Sequence, residues 1–511
     1  MSHRYLSVNL VGLLLAVVLL SLAGYTYFSY AADDAFISYR YARHLAEGEG
    51  LVWNPGENLE SYSNFLWVLI LAVVHLVGLN IVPTSMVLSI VSGIALLIVV
   101  YWLARDVSDE YPVSPLWIAP VVLTLNRDIL FWNPSGMETT FFAFLVVAAA
   151  WRYLAEVRSP HKFPLSSLLF FLVAITRPEG IVCFLATIAF DLLYQRRMRW
   201  RALWICLIPF GIYQIWRVIY FGDFLPCPYY AKVGGDQRFV LGAQYVGVYA
   251  FETLPIFAAL SLLVLFPPKN PGRVFYLFWL VLAGIAAAFW MDGDWMGNSR
   301  LMIPATALLA AMLVPSVSGL LAARTASDRR ASWVVLLLAG LVIFQSVGVT
   351  GRDLIRIVTL TQQPMAECLE GEMTMAMKAA GLWLRDHSDP DDLIAVNHAG
   401  ALPYYAERPA VDMTGLCDRH ISRVPGGRHE KYDVEYILAR DPRYVVLNTT
   451  TKPINGSYGR DYWIGETELY DHPLFLERYR PLPNFYRWRW EAIEAKITYT
   501  MIFERIAPSP S

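Results

Sequence analysis

The sequence predicts a polytopic α-helical membrane protein followed by a soluble α/β domain. Two observations carry this. Apolar runs of membrane-spanning length recur from residue 6 to about 350, and only 16% of the 511 residues are charged, against roughly 25% in soluble domains. From residue 352 onward the charged residues return, and the apolar pattern breaks into short helix-like and strand-like pieces. A mean hydropathy of +0.42 agrees. The net charge of −2 argues against bulk attraction to nucleic acid. The five cysteines, Cys183, Cys206, Cys227, Cys368 and Cys417, form no CxxC or Cys/His spacing, so no metal site is expected. Cys183 and Cys206 fall in apolar segments and read as small packing residues.

The first apolar run, residues 6–28, is too long for the apolar core of a cleaved signal peptide and reads as a retained signal anchor. Further spans are expected at about 84–104, 115–130, 139–155, 163–176, 180–194, 202–220, 243–266, 274–290, 301–320 and 332–350, about 11 in all. Alternate loops then carry the cations: Arg4, Arg105, Arg152 with Arg158 and Lys162, "QRRMRWR" (195–201), "PPKNPGR" (267–273) and "ARTASDRR" (323–330). Lysine and arginine favour short cytoplasmic loops, so the N-terminus is expected inside and the C-terminal domain outside. Residues 64–79 are apolar but short and contain His75. Counting them as a span would invert every later loop, so they are expected to form a re-entrant or interfacial helix. The expected division is a membrane domain, 1–351, with a large first outer loop at 30–83, and an extracytoplasmic α/β domain, 352–511. The expected location is a bacterial cytoplasmic (inner) membrane.

On this topology the outer face collects the chemically unusual residues. Asp33 and Asp34 follow the first span directly. Two adjacent carboxylates near low dielectric cannot both ionise cheaply, so one pKa can rise to a value suited to a general base. Asp33 could instead cap the following helix. Arg40 and Arg43, two turns on, could hold a phosphate or merely neutralise the aspartates. Tyr62 in the same loop is a further candidate for substrate contact. In "TRPEG" (176–180), Arg177 and Glu179 sit between apolar runs, as a turn pair or as groups facing a polar cavity. Glu138 reads as a helix cap or a site residue. Lys232 and Arg238 could reach a lipid phosphate, and Asp292, Asp294 and Arg300 could pair with one another. Such an acidic and basic outer pocket, bordered by Trp53, Trp67, Trp132 and Trp295, suits a sugar carried on a lipid phosphate.

"DDAFISYRYARHLAEGEGLVWNPGENLESYSNFLWVLIL" resembles the first outer loop of bacterial GT-C glycosyltransferases, in particular the mycobacterial terminal β-1,2-arabinofuranosyltransferase family and its bacterial relatives. Later segments follow in the same order: "NPSGMETTFFAFL", "AITRPEGIVCF", "GDWMGNSRLMIPA" and "NHAGALPYYAERPAVDMTGLCDRHISR". The resemblance implies a GT-C fold, a polyprenyl-phosphate sugar donor and catalysis on the outer membrane face. The family's acidic motif maps onto Asp33 and Asp34, either of which would be the base. Arabinofuranose is the favoured sugar. The acceptor would be an envelope glycan, lipid or protein, and no cofactor beyond the lipid-linked donor is implied. The partners expected are membrane lipids, donor and acceptor.

In the soluble domain, "EMTMAMKAAGLWLRDHS" (372–388) reads as an amphipathic helix, and "LIAVNH" (393–398) and "YVVLN" (444–448) as buried strands. "VDMTGLCDRHISR" (411–423) places Asp418, His420 and Arg423 just after a strand, where ligand-binding loops often sit. His398, His429 and Lys431 are weaker candidates, and Cys368 and Cys417 are either free thiols or a disulfide. A transporter or flippase of lipid-linked saccharides is the alternative reading. No internal repeat supports it, and the charged groups gather at one face rather than the midplane.

Overall fold

A computed structural model describes residues 3–26, 31–111, 114–159, 163–232, 238–294, 296–324, 369–428, 430–453, 458–460, 462–490 and 496–506. The helices through the apolar region are α1 (His3–Thr26), α2 (Asp33–Glu47), α3 (Phe65–Leu76), α4 (Ile81–Val107), α5 (Ile118–Thr124), α6 (Arg127–Trp132), α7 (Thr139–Arg158), α8 (Leu165–Thr176), α9 (Gly180–Leu193), α10 (Trp200–Phe221), α11 (Cys227–Lys232), α12 (Arg238–Glu252), α13 (Leu254–Leu260), α14 (Leu262–Leu265), α15 (Pro271–Trp290) and α16 (Ile303–Arg324).

The chain forms two compact units. Unit 1 comprises Met1–Phe28, Ser85–Tyr213 and Arg238–Gln362; unit 2 comprises Ser29–Thr84, Gln214–Gln237 and Gln363–Ser511. The first outer loop, grouped with the membrane segments from sequence, thus packs with the C-terminal domain. Its polar side chains bond to that domain's backbone: Asn54 Nδ2 donates to the Ala410 carbonyl (2.8 Å), and Asn54 Oδ1 accepts from the Ala410 N–H (3.0 Å).

Among the described residues, six helices are long and apolar enough to cross a membrane, or seven if the bent pair Arg238–Glu252 and Ile256–Val264 forms one span. This is fewer than the 11 expected. The segment at 115–130 folds as the two short helices α5 and α6, because Asn126 caps a new helix by accepting from the Ile129 N–H. Helices α8 and α9, of 12 and 14 residues, reach only about 18 and 21 Å at 1.5 Å per residue, short of a hydrocarbon core of roughly 30 Å. Helix α3, 12 residues long, is likewise shorter than a span, as expected of an interfacial or re-entrant helix. The expected span at 332–350 lies outside the described residues, as does Cys368.

Within unit 1 the charged loops gather at two ends of α7. At its C-terminal end, Arg158 pairs with Asp106 and Asp109, and Arg273 with Asp109 (2.6 Å). Arg199 pairs with Asp191 (2.8 Å) and Glu156. At the N-terminal end, Glu138 precedes Thr139 and meets Arg177. The 20 residues of α7 separate the two ends by about 30 Å.

Unit 2 is built on a five-stranded mixed sheet of β1 (Ile394–Val396), β2 (Ala410–Asp412), β3 (Tyr444–Thr449), β4 (Tyr479–Trp490) and β5 (Lys496–Arg505), in the order β2-β1-β3-β5-β4. The first three strands are parallel; β5 runs antiparallel to β3 and β4. Helix α17 (Leu369–His387) and the short α18 (Ala401–Ala406) pack on each other. The core beneath includes Ala395, Val411, Val445, Leu447, Met501 and Phe503.

Candidate functional site

The two aspartates open α2, where carboxylates favour the exposed N–H groups of a first helical turn. Neither is the N-cap. That position is Ala32, and Asp33 turns into unit 2 instead. Its Oδ1 accepts from the Ala401 N–H at 2.9 Å, and the Gly400 N–H bonds to it as well. The approach is close: a Cβ on Gly400 would lie 2.1 Å from the Asp33 carbonyl oxygen and 2.5 Å from its Oδ2. Glycine is therefore required at this point. Asp33 is 4% exposed, and burial pushes its carboxyl from 3.8 up to about 7; the Ala401 N–H pulls the other way and Asp34 pushes further up. Asp34 is half-buried.

The segment 397–400 that delivers Gly400 is anchored from below. Buried Glu466 accepts from Asn397 Nδ2 (2.9 Å), Asn448 Nδ2 (3.0 Å) and the Asn448 N–H (3.1 Å). Burial raises this carboxyl to about 8. Tyr462 lies beside Asp33, and burial, Glu466 and Asp33 together push its phenol up. Nothing in the sequence singled out Glu466 or Tyr462, since the partners that give them meaning lie far away in the chain.

Arg40 does not take the role of an open phosphate ligand. It is 2% exposed, and its guanidinium donates to the carbonyls of Trp53 (2.6 Å), Pro403 and Arg408 (2.7 Å) and to Asn54 Oδ1 (3.2 Å). It clamps the first outer loop to the C-terminal domain. Arg43 pairs with Glu407 (3.0 Å), donates to the Tyr404 carbonyl and lies over the Tyr404 ring. Tyr62 packs edge-on against Tyr41 and Phe221 within an aromatic cluster. A buried pair absent from the sequence reading joins them: Arg217 grips both oxygens of Glu60, Nε at 2.8 and 3.0 Å and Nη2 at 2.5 Å.

Asp418, His420 and Arg423 do come together, at a cleft of about 600 Å³ shared with Glu57, Arg419, Tyr436 and Arg440. Asp418 accepts from the N–H groups of His420 (2.9 Å) and Ile421 (3.0 Å) and from the Tyr436 hydroxyl (3.0 Å), so it shapes the loop. His420 bonds Asp433 (2.7 Å), and Arg423 pairs with Asp223. Lys431 donates to the carbonyls of Tyr230 (2.6 Å) and Ser422 (3.1 Å). Lys232 is half-buried at the end of α11. His398 faces Trp488 and Tyr462, with ring centroids 6.0 and 6.4 Å away. His429 lies outside the described residues.

In unit 1, Glu138, Arg177 and Glu179 meet. Arg177 donates Nη1 to Glu138 (2.7 Å) and Nε to Glu179 (2.5 Å). The extended backbone of Arg177 precedes Pro178, which ends α8. Gly180 lets the next helix begin, since a Cβ there would sit 2.4 Å from the Val173 carbonyl oxygen. Asp294 pairs with Arg300, whose guanidinium lies 5.3 Å from the Trp132 ring centre. The loop bearing Asp294 is held by left-handed backbone at Asp292 (φ 62°), Gly293 (φ 64°) and Asn298 (φ 56°). Arg238 pairs with Asp292 (3.0 Å). Four carboxylates meet three arginines here, so each of the three cations is paired. Trp295 lies outside the described residues.

The six long apolar helices among the described residues define a multi-pass membrane protein. The chain has the GT-C fold. It superposes on ArnT from Cupriavidus metallidurans, solved bound to undecaprenyl phosphate, with a TM-score of 0.56 at 12% identity, covering 98% of each chain. Against the Archaeoglobus fulgidus oligosaccharyltransferase, solved with a tethered acceptor peptide, the TM-score is 0.55 at 12% identity, over 94% of this chain and 79% of that one. Against the mycobacterial arabinofuranosyltransferase AftD it is 0.52 at 14% identity, over 99% of this chain but 42% of that one. Residues 365–501 match a domain of unknown function, DUF8728. No curated protein matches in sequence.

Proposed function

We propose that this protein is an inverting glycosyltransferase that moves a sugar from a polyprenyl-phosphate donor to an extracytoplasmic acceptor. The observation that carries the reading is Asp33. It is a buried carboxyl poised near neutrality, the first acid of the motif that resembles the GT-C outer loop. The acceptor hydroxyl oxygen forms a bond to the anomeric carbon as the bond from that carbon to the phosphate oxygen breaks. The hydroxyl proton passes to the aspartate, and polyprenyl phosphate departs with the electron pair. A single displacement inverts the anomeric centre. Polyprenyl phosphate is already a good leaving group, so the step needs no cofactor beyond the lipid-linked donor. Asp34, Arg43, Arg177, Lys232 and Arg300 are the remaining candidates for orienting substrate or steadying the phosphate, and Glu138, Glu179 and Asp294 for holding those cations. Arabinofuranose is the favoured sugar and an envelope glycan, lipid or protein the acceptor, at a bacterial inner membrane. The fold likeness to proteins solved with undecaprenyl phosphate and with a dolichol-phosphate supports the donor class.

The test is release of polyprenyl phosphate by the purified protein in lipid discs. It is offered polyprenyl-phosphate arabinofuranose, mannose or glucose with an envelope extract as acceptor source. Release with one donor, lost in Asp33→Asn, supports the reading. No release with any of them, from folded protein, would sink it.

A further inference from the structure

We infer that the cleft formed by Glu57, Arg419, His420, Arg423, Tyr436 and Arg440 binds a neutral saccharide chain, and that this chain is the acceptor. The second half rests on the transferase reading; the first does not.

Arg440 is matched by Glu57 (3.3 Å), Arg419 (3.2 Å) and Arg423 share Asp223, and His420 is matched by Asp433 (2.7 Å). Three arginines line the cleft, yet each cation has a carboxylate beside it. A site for a phosphate or carboxylate ligand would leave its cations unbalanced, and a site for a cation would leave its carboxylates so. This one does neither, because its remaining carboxylate, Asp418, is taken up by the N–H groups of His420 and Ile421 and the Tyr436 hydroxyl.

What it offers instead is a wall of planar groups with hydrogen-bonding capacity to spare. Arg419 uses Nη2 for the carbonyls of Asn58 (3.1 Å) and Phe221 (2.6 Å). Its Nε and Nη1, and the Nε of Arg423 and of Arg440, have no partner among the described residues. Glu57 accepts from Asn54 and Arg440 while remaining 45% exposed, which leaves lone pairs open. Donors and acceptors in alternation on rigid planar side chains match adjacent sugar hydroxyls, each of which both gives and takes a hydrogen bond.

An aromatic platform completes the site. His420 stacks on Tyr436 with ring centroids 4.2 Å apart and planes 22° apart, and its side chain is 49% exposed. The Tyr436 ring is fixed by its bond to Asp418 and by Arg440 above it at 5.9 Å. The outer face of His420 is thus free to lie against the apolar face of a sugar ring. The cleft, at about 600 Å³, falls within the roughly 300–1,000 Å³ of small-ligand sites.

The experiment titrates the full chain in lipid discs with short neutral arabinofuranose, mannose and glucose oligosaccharides, followed by saturation-transfer NMR. One of the series is expected to bind. His420→Ala, at an exposed position, and Arg440→Gln, at a half-buried one, both outside the core, are expected to weaken it about tenfold, as loss of a charge-assisted hydrogen bond would. Glu477→Gln, exposed and not among the residues that line the cleft, is expected to bind normally. Binding by none of the series, equal binding by the variants with unchanged melting temperature, or displacement of the saccharide by inorganic phosphate would each overturn the inference. Saccharide binding without polyprenyl phosphate release from any donor would keep the cleft and remove the transferase. Release without saccharide binding would do the reverse.

Discussion

At Asp33 two physical pressures meet on one carboxyl. Burial favours the neutral acid, while two backbone N–H groups favour the anion, and the balance lies at about 7. If Asp33 is the base, its anion is the active form, so transfer should rise with pH through about 7 and then level off. Removing the neighbouring charge in Asp34→Asn should move that midpoint to lower pH, by less than burial contributes, because burial is the larger cause. Abolished activity in Asp34→Asn with a normal profile in Asp33→Asn would assign the base to Asp34 instead. Asp33→Asn itself should lower transfer by about 10²–10⁴-fold. The same shift sets a stability trend. Between the ordinary 3.8 and about 7 the native state holds a proton that the unfolded chain has lost. Stability therefore falls as pH rises through that window and changes no further above it. Gly400→Ala tests the contact from the other side. Its Cβ would collide with the Asp33 backbone, at a cost of about 1–3 kcal/mol in thermal unfolding, and should shift the pH midpoint as well.

The clamp formed by Arg40 belongs to the scale of elements, because it fastens α2 to the segment around α18. Lysine has neither the planar fork nor enough donors for acceptors at four separate residues. Arg40→Lys should therefore lower the melting temperature of the chain markedly, with a loss of about 3–5 kcal/mol if the ammonium is left buried and poorly satisfied. An unchanged melting temperature with weakened donor binding would restore the phosphate role. This is where sequence reasoning reached its limit. It placed the helix ending at His387 and the strands β1 and β3, whose apolar runs declare themselves. It did not identify β4, written "YRPLPNFYRWRW", because two prolines and interspersed arginines mask the strand pattern. The strand tolerates them at the sheet edge, with a register shift between Pro481 and Phe485. The "DD" of α2 was legible as chemistry, but its contact with Ala401 spans 368 residues, and no local pattern encodes that.

For the whole molecule the open quantity is sidedness. In unit 1 the basic loops meet at the C-terminal end of α7, and the Glu138–Arg177–Glu179 group lies at the other, about 30 Å away. The positive-inside rule assigns the basic end to the cytoplasm. The C-terminal domain should then lie outside, provided that α15, α16 and the segment at 332–350 each cross. One pair of labels tests this parity. Cys183, Cys206, Cys227 and Cys417 are buried, so a chain with Cys368→Ser should be quiet toward a membrane-impermeant maleimide. On that background Glu477→Cys, exposed in the C-terminal domain, should react in intact cells. Lys269→Cys, exposed in the loop before α15, should react only after the membrane is opened. Reaction of both from outside, or of neither, would put the loop and the domain on one side. The parity of crossings between them would then be wrong by one, and 332–350 would be the first segment to reassign. Reaction of Lys269→Cys alone in intact cells would invert the whole chain, and with it the membrane face on which Asp33 could meet a lipid-linked sugar.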